Sequence, residues 1–187
     1  QMIYEIHNPK AYLTPDATAD FSKVTFRQIG ENQVRAEHAT THGRPETLKV
    51  SVGYKDCFIG EGEISYGGSN CMARAELAAE ILEKRIELTG IELEEYRTDF
   101  IGCNSLYRDA ISKEIGSGTP CEVRLHAAGR TKDRKNAVLL ANEVEALYTN
   151  GPAGGGGAVK RVSEIVSVCS IFVPRDAVEA KVTLREV

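Results

Sequence analysis

The chain has no tryptophan, only two methionines and no pair of cysteines at CxxC spacing. Its 187 residues contain no run near the ~20 apolar residues that a membrane-spanning helix needs. The five cysteines, Cys57, Cys71, Cys103, Cys121 and Cys169, are odd in number and far apart. That pattern argues against a disulfide scaffold and reads as reduced thiols in a cytoplasmic protein. Gln1-Met2-Ile3-Tyr4-Glu5 opens no basic, then apolar, secretory signal. An excess of positive charge is also missing: 23 Lys and Arg stand against 27 Asp and Glu, a formal charge of −4. Electrostatic capture of nucleic acid or of an anionic membrane by the chain as a whole is therefore not expected. What is present is ordinary globular usage, 42% hydrophobic and 27% charged with 17 Gly and 6 Pro.

Two segments carry helical periodicity. From Asn70 to about Leu88, Met72, Ala75, Ala79, Leu82 and Ile86 recur at three- and four-residue steps, with Ser69 as the expected N-cap and Gly90 as the stop. From Asp133 to about Thr149, Ala137, Leu140, Ala141, Val144, Leu147 and Tyr148 repeat the pattern, and Gly151-Pro152 ends it. Strand alternation marks Leu48–Tyr54 and Cys121–Ala127, more weakly Tyr96–Ile101, and as a β-branched run Val162–Val173. Met2–Ile6, Lys23–Ile29, Gln33–Glu37 and Lys181–Leu184 read as further strands, with Gly30-Glu31-Asn32 turning a hairpin.

From Leu48 onward the elements run strand, helix, strand, strand, helix, strand. This order predicts an α+β fold, a ferredoxin-like βαββαβ two-layer unit preceded by an N-terminal strand segment. A three-layer α/β sheet is the alternative, but it calls for continuously apolar strands, and only Val162–Val173 comes close. Thr40–Thr47 is the expected boundary, dividing the chain into a strand segment over 1–47 packed on a split βαβ domain over 48–187.

Asn150-Gly151-Pro152-Ala153-Gly154-Gly155-Gly156-Gly157 is the most unusual stretch. Consecutive glycines lose much backbone entropy on ordering, which suits a nest of N–H groups around an anion. Lys160 and Arg161 would add cationic donors; a plain flexible connection is the competing reading. Gly60-Glu61-Gly62-Glu63 reads as a glycine-rich loop entering the first helix, and places two carboxylates where burial could raise a pKa for acid–base work. Solvated loop glutamates are the blander option. Basic residues concentrate over Arg124-x-His126 and Arg130-Thr131-Lys132-Asp133-Arg134-Lys135, which suggests an anionic partner or an exposed solubilising turn. His126 itself reads as a solvent-facing or sheet-pairing residue. Asn104 and Ser105, after the strand expected over Tyr96–Ile101, are candidate ligand contacts, whereas Cys103 reads as a small buried thiol. His38 and His42 stand four apart without a helix or an HExxH glutamate, so no metal site is expected. The residues name no cofactor.

Several motifs together resemble a known family. Tyr4–Asp16, Ala19–Val24 and Phe58–Tyr66 (Phe-Ile-Gly-Glu-Gly-Glu-Ile-Ser-Tyr) are similar to the acyclic terpene utilisation AtuA family. So are Ile101–Leu106, Glu122–Thr131 and Ala146–Gly157 (Ala-Leu-Tyr-Thr-Asn-Gly-Pro-Ala-Gly-Gly-Gly-Gly). The resemblance covers nearly the whole chain and is to the later part of that family's conserved region. It implies a fragment, or a small subunit beginning at Met2, working in catabolism of branched terpenoid carboxylic acids or their acyl-CoA derivatives. Combined with the residues, the expectation is part of a lyase- or hydratase-like enzyme. Glu61 or Glu63 would move a proton, Asn104, Ser105, Arg130 and Asn150 would orient the substrate, and Gly154–Gly157 with Lys160 and Arg161 would bind the anion. A non-catalytic assembly subunit docking on a larger α/β chain is the second expectation. A larger partner chain or a homo-oligomer follows from either; an RNA-binding module does not, since Cys121–Ala128 offers no aromatic for base stacking.

Overall fold

The computed structural model describes residues 4–115, 118 and 120–186. Its elements in chain order are β1 (Tyr12–Leu13), β2 (Thr18–Asp20), β3 (Thr25–Gly30), β4 (Gln33–Glu37), β5 (Thr40–Thr41), β6 (Thr47–Gly67), α1 (Cys71–Thr89), β7 (Glu95–Ile101), α2 (Arg108–Ile115), β8 (Glu122–Thr131), α3 (Arg134–Asn150) and β9 (Gly155–Pro174). The fold is α+β. Two compact units divide it: Tyr54–Ser167, and Gln1–Gly53 together with Val168–Val187. Strands β6 and β9 carry residues of both.

In the Tyr54–Ser167 unit a four-stranded sheet runs in the order β7-β8-β6-β9. β8 is antiparallel to both neighbours, with Asp99 and Glu63 each standing opposite His126. Alternation along β8 sets the two faces. Val123, Leu125 and Ala127 are buried with Ile64 and Tyr66 of β6, against Cys71, Ala75, Ala78, Ala79 and Leu82 of α1 and Val144 and Leu147 of α3. Each fully buried leucine, such as Leu82 or Leu125, contributes about 2 kcal/mol of transfer free energy. Ala75, Ala78 and Ala79 keep much of the sheet-facing side of α1 small, with Leu82 the large side chain of that stripe.

The Gly60-Glu61-Gly62-Glu63 stretch is not a loop but the middle of β6. Alternation turns its glycines inward and its glutamates to the other face. A Cβ on Gly60 would stand 2.2 Å from the Ala137 carbonyl oxygen, and one on Gly62 would stand 2.4 Å from the Val144 Cβ. The glycines are there because α3 rests directly on the strand. Tyr66 is fully buried, and its hydroxyl finds no hydrogen-bond partner among the described residues. Burial raises its pKa above the ordinary tyrosine value.

Both long helices fall where periodicity places them, with differences at the caps. Asn70, in a left-handed conformation and making no side-chain cap, precedes α1 in place of Ser69; Gly90 closes the helix from a left-handed conformation. Asp133 caps α3 by accepting a hydrogen bond from the Lys135 N–H at 2.8 Å. Helix α2 is a further element, too short for periodicity to separate from loop. Strand β9 begins seven residues before the β-branched run, at Gly155, because pairing extends it into the glycines.

The other unit holds β1-β2-β5, a three-stranded sheet, and the β3–β4 hairpin, whose turn contains left-handed Asn32. Two expected strands do not occur among the described residues. Tyr4–Glu5 is a turn, the start of that expected strand lying outside the described residues. Lys181–Leu184 is extended in pattern only: Val182 and Leu184 are almost fully exposed and pair with no strand among the described residues, and alternation without a neighbouring strand makes no sheet.

Candidate functional site

The sheet face turned away from α1 and α3 is where polar side chains gather. On β8 the outward residues are Arg124, His126, Ala128 and Arg130, and on β6 they include Glu61, Glu63 and Ser65. On β7 they include Arg97 and Asp99. At the centre His126 stands between two carboxylates. Its Nε2 is 3.5 Å from Glu61 Oε1 and its Nδ1 is 3.9 Å from Asp99 Oδ2, so either ring tautomer faces an acid.

Each carboxylate is fixed from its far side by arginine. Arg161 of β9 donates from Nε and Nη2 to one Glu61 oxygen at 2.9 and 2.7 Å. Arg97 donates to both Asp99 oxygens at 2.6 and 2.7 Å, and Arg108 of α2 adds a second cation at 3.3 Å. The side chain of Asp99 is only 8% exposed, a burial that such pairing makes tolerable. Arg124 donates from Nη1 to Glu63 at 2.9 Å and from Nε to the Ser65 hydroxyl at 3.0 Å. Guanidinium offers five donors, so Nη2 of Arg124 and Nη1 of Arg161 remain without a hydrogen-bond partner among the described residues. Around His126 itself four arginines (97, 108, 124 and 161) meet three carboxylates (61, 63 and 99).

A cavity of about 260 Å³ opens on this arrangement, lined by Glu61, Glu63, Arg124, His126, Val159 and Arg161 among others. It brings together an imidazole, a carboxylate 3.5 Å from it and guanidinium groups with donors to spare.

Of the residues expected from the sequence, Glu61, Glu63 and Arg161 come together here. Lys160, next on the strand, points to the opposite face and binds Asn142 Oδ1 at 3.0 Å and the Glu145 carboxylate. Arg130 lies at the far end of β8, six residues or about 20 Å along the strand from Arg124, with Asp56 at 2.9 Å. Lys132 and Ser167 bind that same Asp56, holding its carboxyl below the usual range, with the Ser167 hydrogen bond the largest cause. Asn104 is occupied within its own turn, accepting from the Phe100 N–H at 3.0 Å and donating to Asp109 at 2.7 Å; Ser105 belongs to the same turn. Asn150 is the last residue of α3 and is exposed.

Gly155–Gly157 open β9, with Gly154 just before them, and close packing against protein accounts for Gly154 and Gly155. A Cβ on Gly155 would meet Ile64 at 2.8 Å. Gly154 has φ +78 and lies against Arg74, whose guanidinium binds the Ala153 carbonyl at 2.9 Å. Gly157 has φ +63, its Cβ position 3.6 Å from Arg124 Nη2. Nothing lies within 4 Å of a Cβ on Gly156.

Asp99 and Arg97 carry no functional signal in the sequence, and His126 reads there only as a solvent-facing or sheet-pairing residue. The available signal was the alternation of Arg124-x-His126 on a strand whose neighbour alternates Glu61-x-Glu63, and only the pairing of the strands turns it into a site.

His42 binds Asp20 at 3.2 Å and His38 binds the Thr25 hydroxyl at 2.9 Å, so the two histidines have separate partners. No group of three His, Cys, Asp or Glu residues suited to a metal ion occurs among the described residues. No helix there is long and apolar enough to cross a membrane.

Among known proteins, the family model described as acyclic terpene utilisation family protein AtuA matches residues 1–184. No curated protein and no solved structure matches the chain.

Proposed function

Because the chain belongs to the acyclic terpene utilisation family AtuA, we propose that it serves the breakdown of branched acyclic carboxylic acids, free or as CoA esters, at the His126 face of its sheet. The reaction class is lyase- or hydratase-like. In the hydration direction the His126–Glu61 pair takes a proton from water as oxygen bonds to the β-carbon of a conjugated double bond, and a proton returns to the α-carbon. Elimination runs the same steps backward. Arg124 and Arg161, through their remaining donors, hold the substrate's carboxylate or the charge that develops on a thioester oxygen. Asp99, locked by Arg97, places negative charge 3.9 Å from the other ring nitrogen.

The observation that carries this reading is the placement of His126, its Nε2 3.5 Å from Glu61 Oε1 beside a cavity lined by Arg124 and Arg161. The strand order β7-β8-β6-β9 with α1 and α3 on one face supports a ferredoxin-like split βαβ unit for this region. We also read the chain as working with a larger partner chain or as a homo-oligomer; sizing of the intact protein alone and with its neighbouring gene product tests that.

For the chemistry, His126→Gln and Glu61→Gln are assayed with a branched unsaturated acyclic acid and with its CoA ester, following product by mass spectrometry. A general acid–base role predicts a fall in kcat on the order of a hundredfold or more for His126→Gln. Turnover equal to wild type in both variants sinks the assignment.

A further inference from the structure

Arg161 and Lys160 line two cavities. The first is the polar one beside His126. The second, about 290 Å³, is bounded by Val138, Ala141 and Asn142 of α3 and by Lys160, Arg161 and Val162 of β9. Strand alternation explains the division: Val159 and Arg161 face the acid–base side, Lys160 and Val162 face α3. β9 is the last strand in the order β7-β8-β6-β9, so a ligand passing from one face to the other rounds a strand edge and need not pierce the sheet.

The two cavities differ in kind. Around His126 the lining is ionic; against α3, Val138, Ala141 and Val162 supply hydrocarbon, with charge only at the Lys160–Arg161 rim. Lys160 is held at that rim by Asn142, itself part of the lining, and by Glu145. Together the volumes fall in the range of small-molecule sites, roughly 300–1,000 Å³.

We propose that the site takes an amphipathic anion, its carboxylate or thioester head at Arg161 and Arg124 and its hydrocarbon tail carried around the β9 edge into the Val138–Ala141–Val162 cavity. This rests on the reading of the His126 face as the reacting end, and adds the class of tail and the place that selects it. A short acid fills only the ionic half. A longer or branched one gains about fourfold in affinity for each methylene that leaves water for the second cavity.

Binding of butyrate, octanoate and octanol to the intact protein by calorimetry decides it. Octanoate is expected to bind on the order of a hundredfold tighter than butyrate, with octanol weaker than octanoate for want of the charged head. Val138→Phe, filling the cavity from the helix, collapses the octanoate-to-butyrate ratio to within about threefold; Val162→Phe does so from the strand should the first variant not fold. Arg161→Gln weakens both acids by a similar factor and keeps the ratio. Equal binding of butyrate and octanoate, a ratio that survives both fillings, or no binding of any acid overturns the proposal. Binding needs no turnover, so a failure of the tail assignment is separable from a failure of the His126 chemistry.

Discussion

Every buried residue among those described belongs to the Tyr54–Ser167 unit; the unit of Gln1–Gly53 and Val168–Val187 has none. Both contain antiparallel strands, and both contain alternating apolar residues. In the first, two amphipathic helices cover one sheet face and the apolar side chains of β6 and β8 go dry. In the second, the β3–β4 hairpin leaves Phe26 and Val34 exposed, and polar contacts carry the local order instead. Asp20 binds His42, and the Arg175 side chain reaches the carbonyls of Pro45 and Pro15. Alternation makes a strand eligible for burial; only a covering layer makes it buried.

Leucine truncation tests that contrast most strongly. Leu125→Ala removes a fully buried side chain at a cost of about 3 kcal/mol, whereas Phe26→Ala costs under about 1 kcal/mol, both read by chemical denaturation. Comparable losses at the two positions would mean that the hairpin is covered in solution. Glycines give the next effect. Gly60→Ala pushes a methyl into the Ala137 backbone and costs about 2 kcal/mol, while Gly43→Ala has open space and strains only its φ of +86, costing about 1 kcal/mol. Equal costs would show that α3 does not rest on β6.

Acid separates the units more gently. Hydrogen bonds from Ser22, and then His42, hold the Asp20 carboxyl down to about 2. A depressed carboxylate stabilises fully above its unfolded pKa, near 4, and that contribution disappears as pH falls through about 2. Amide-exchange protection in β2 and β5 should therefore decline between pH 4 and 2. An Asp20→Asn variant should start lower and stay flat over that window. A decline unaltered by the substitution assigns the acid sensitivity elsewhere.

How much of this was legible depends on range. Helices α1 and α3 were visible because Ala75, Ala79 and Leu82, or Leu140, Val144 and Leu147, repeat within a few residues. The β3–β4 hairpin was visible because Gly30-Glu31-Asn32 turns the chain locally. The Gly60–Glu63 segment was misread because glycine density marks a loop in isolation; here it marks a strand beneath a helix, and the helix is more than seventy residues away in sequence. Glu61, Glu63 and Arg161 could be named from local composition. Lys160 could not be separated from Arg161, since which of two neighbouring cations faces the site is set by the pleat of β9.

By itself, then, the order of residues determined the helical stripes, the chain-reversing turns and the stock of charged groups, all of which depend on neighbours within about one or two turns of chain. The meeting of Asp99, His126 and Glu61 was decided by the tertiary structure alone. Three strands had to align in one register, and a shift of a single residue would have turned His126 to the apolar face.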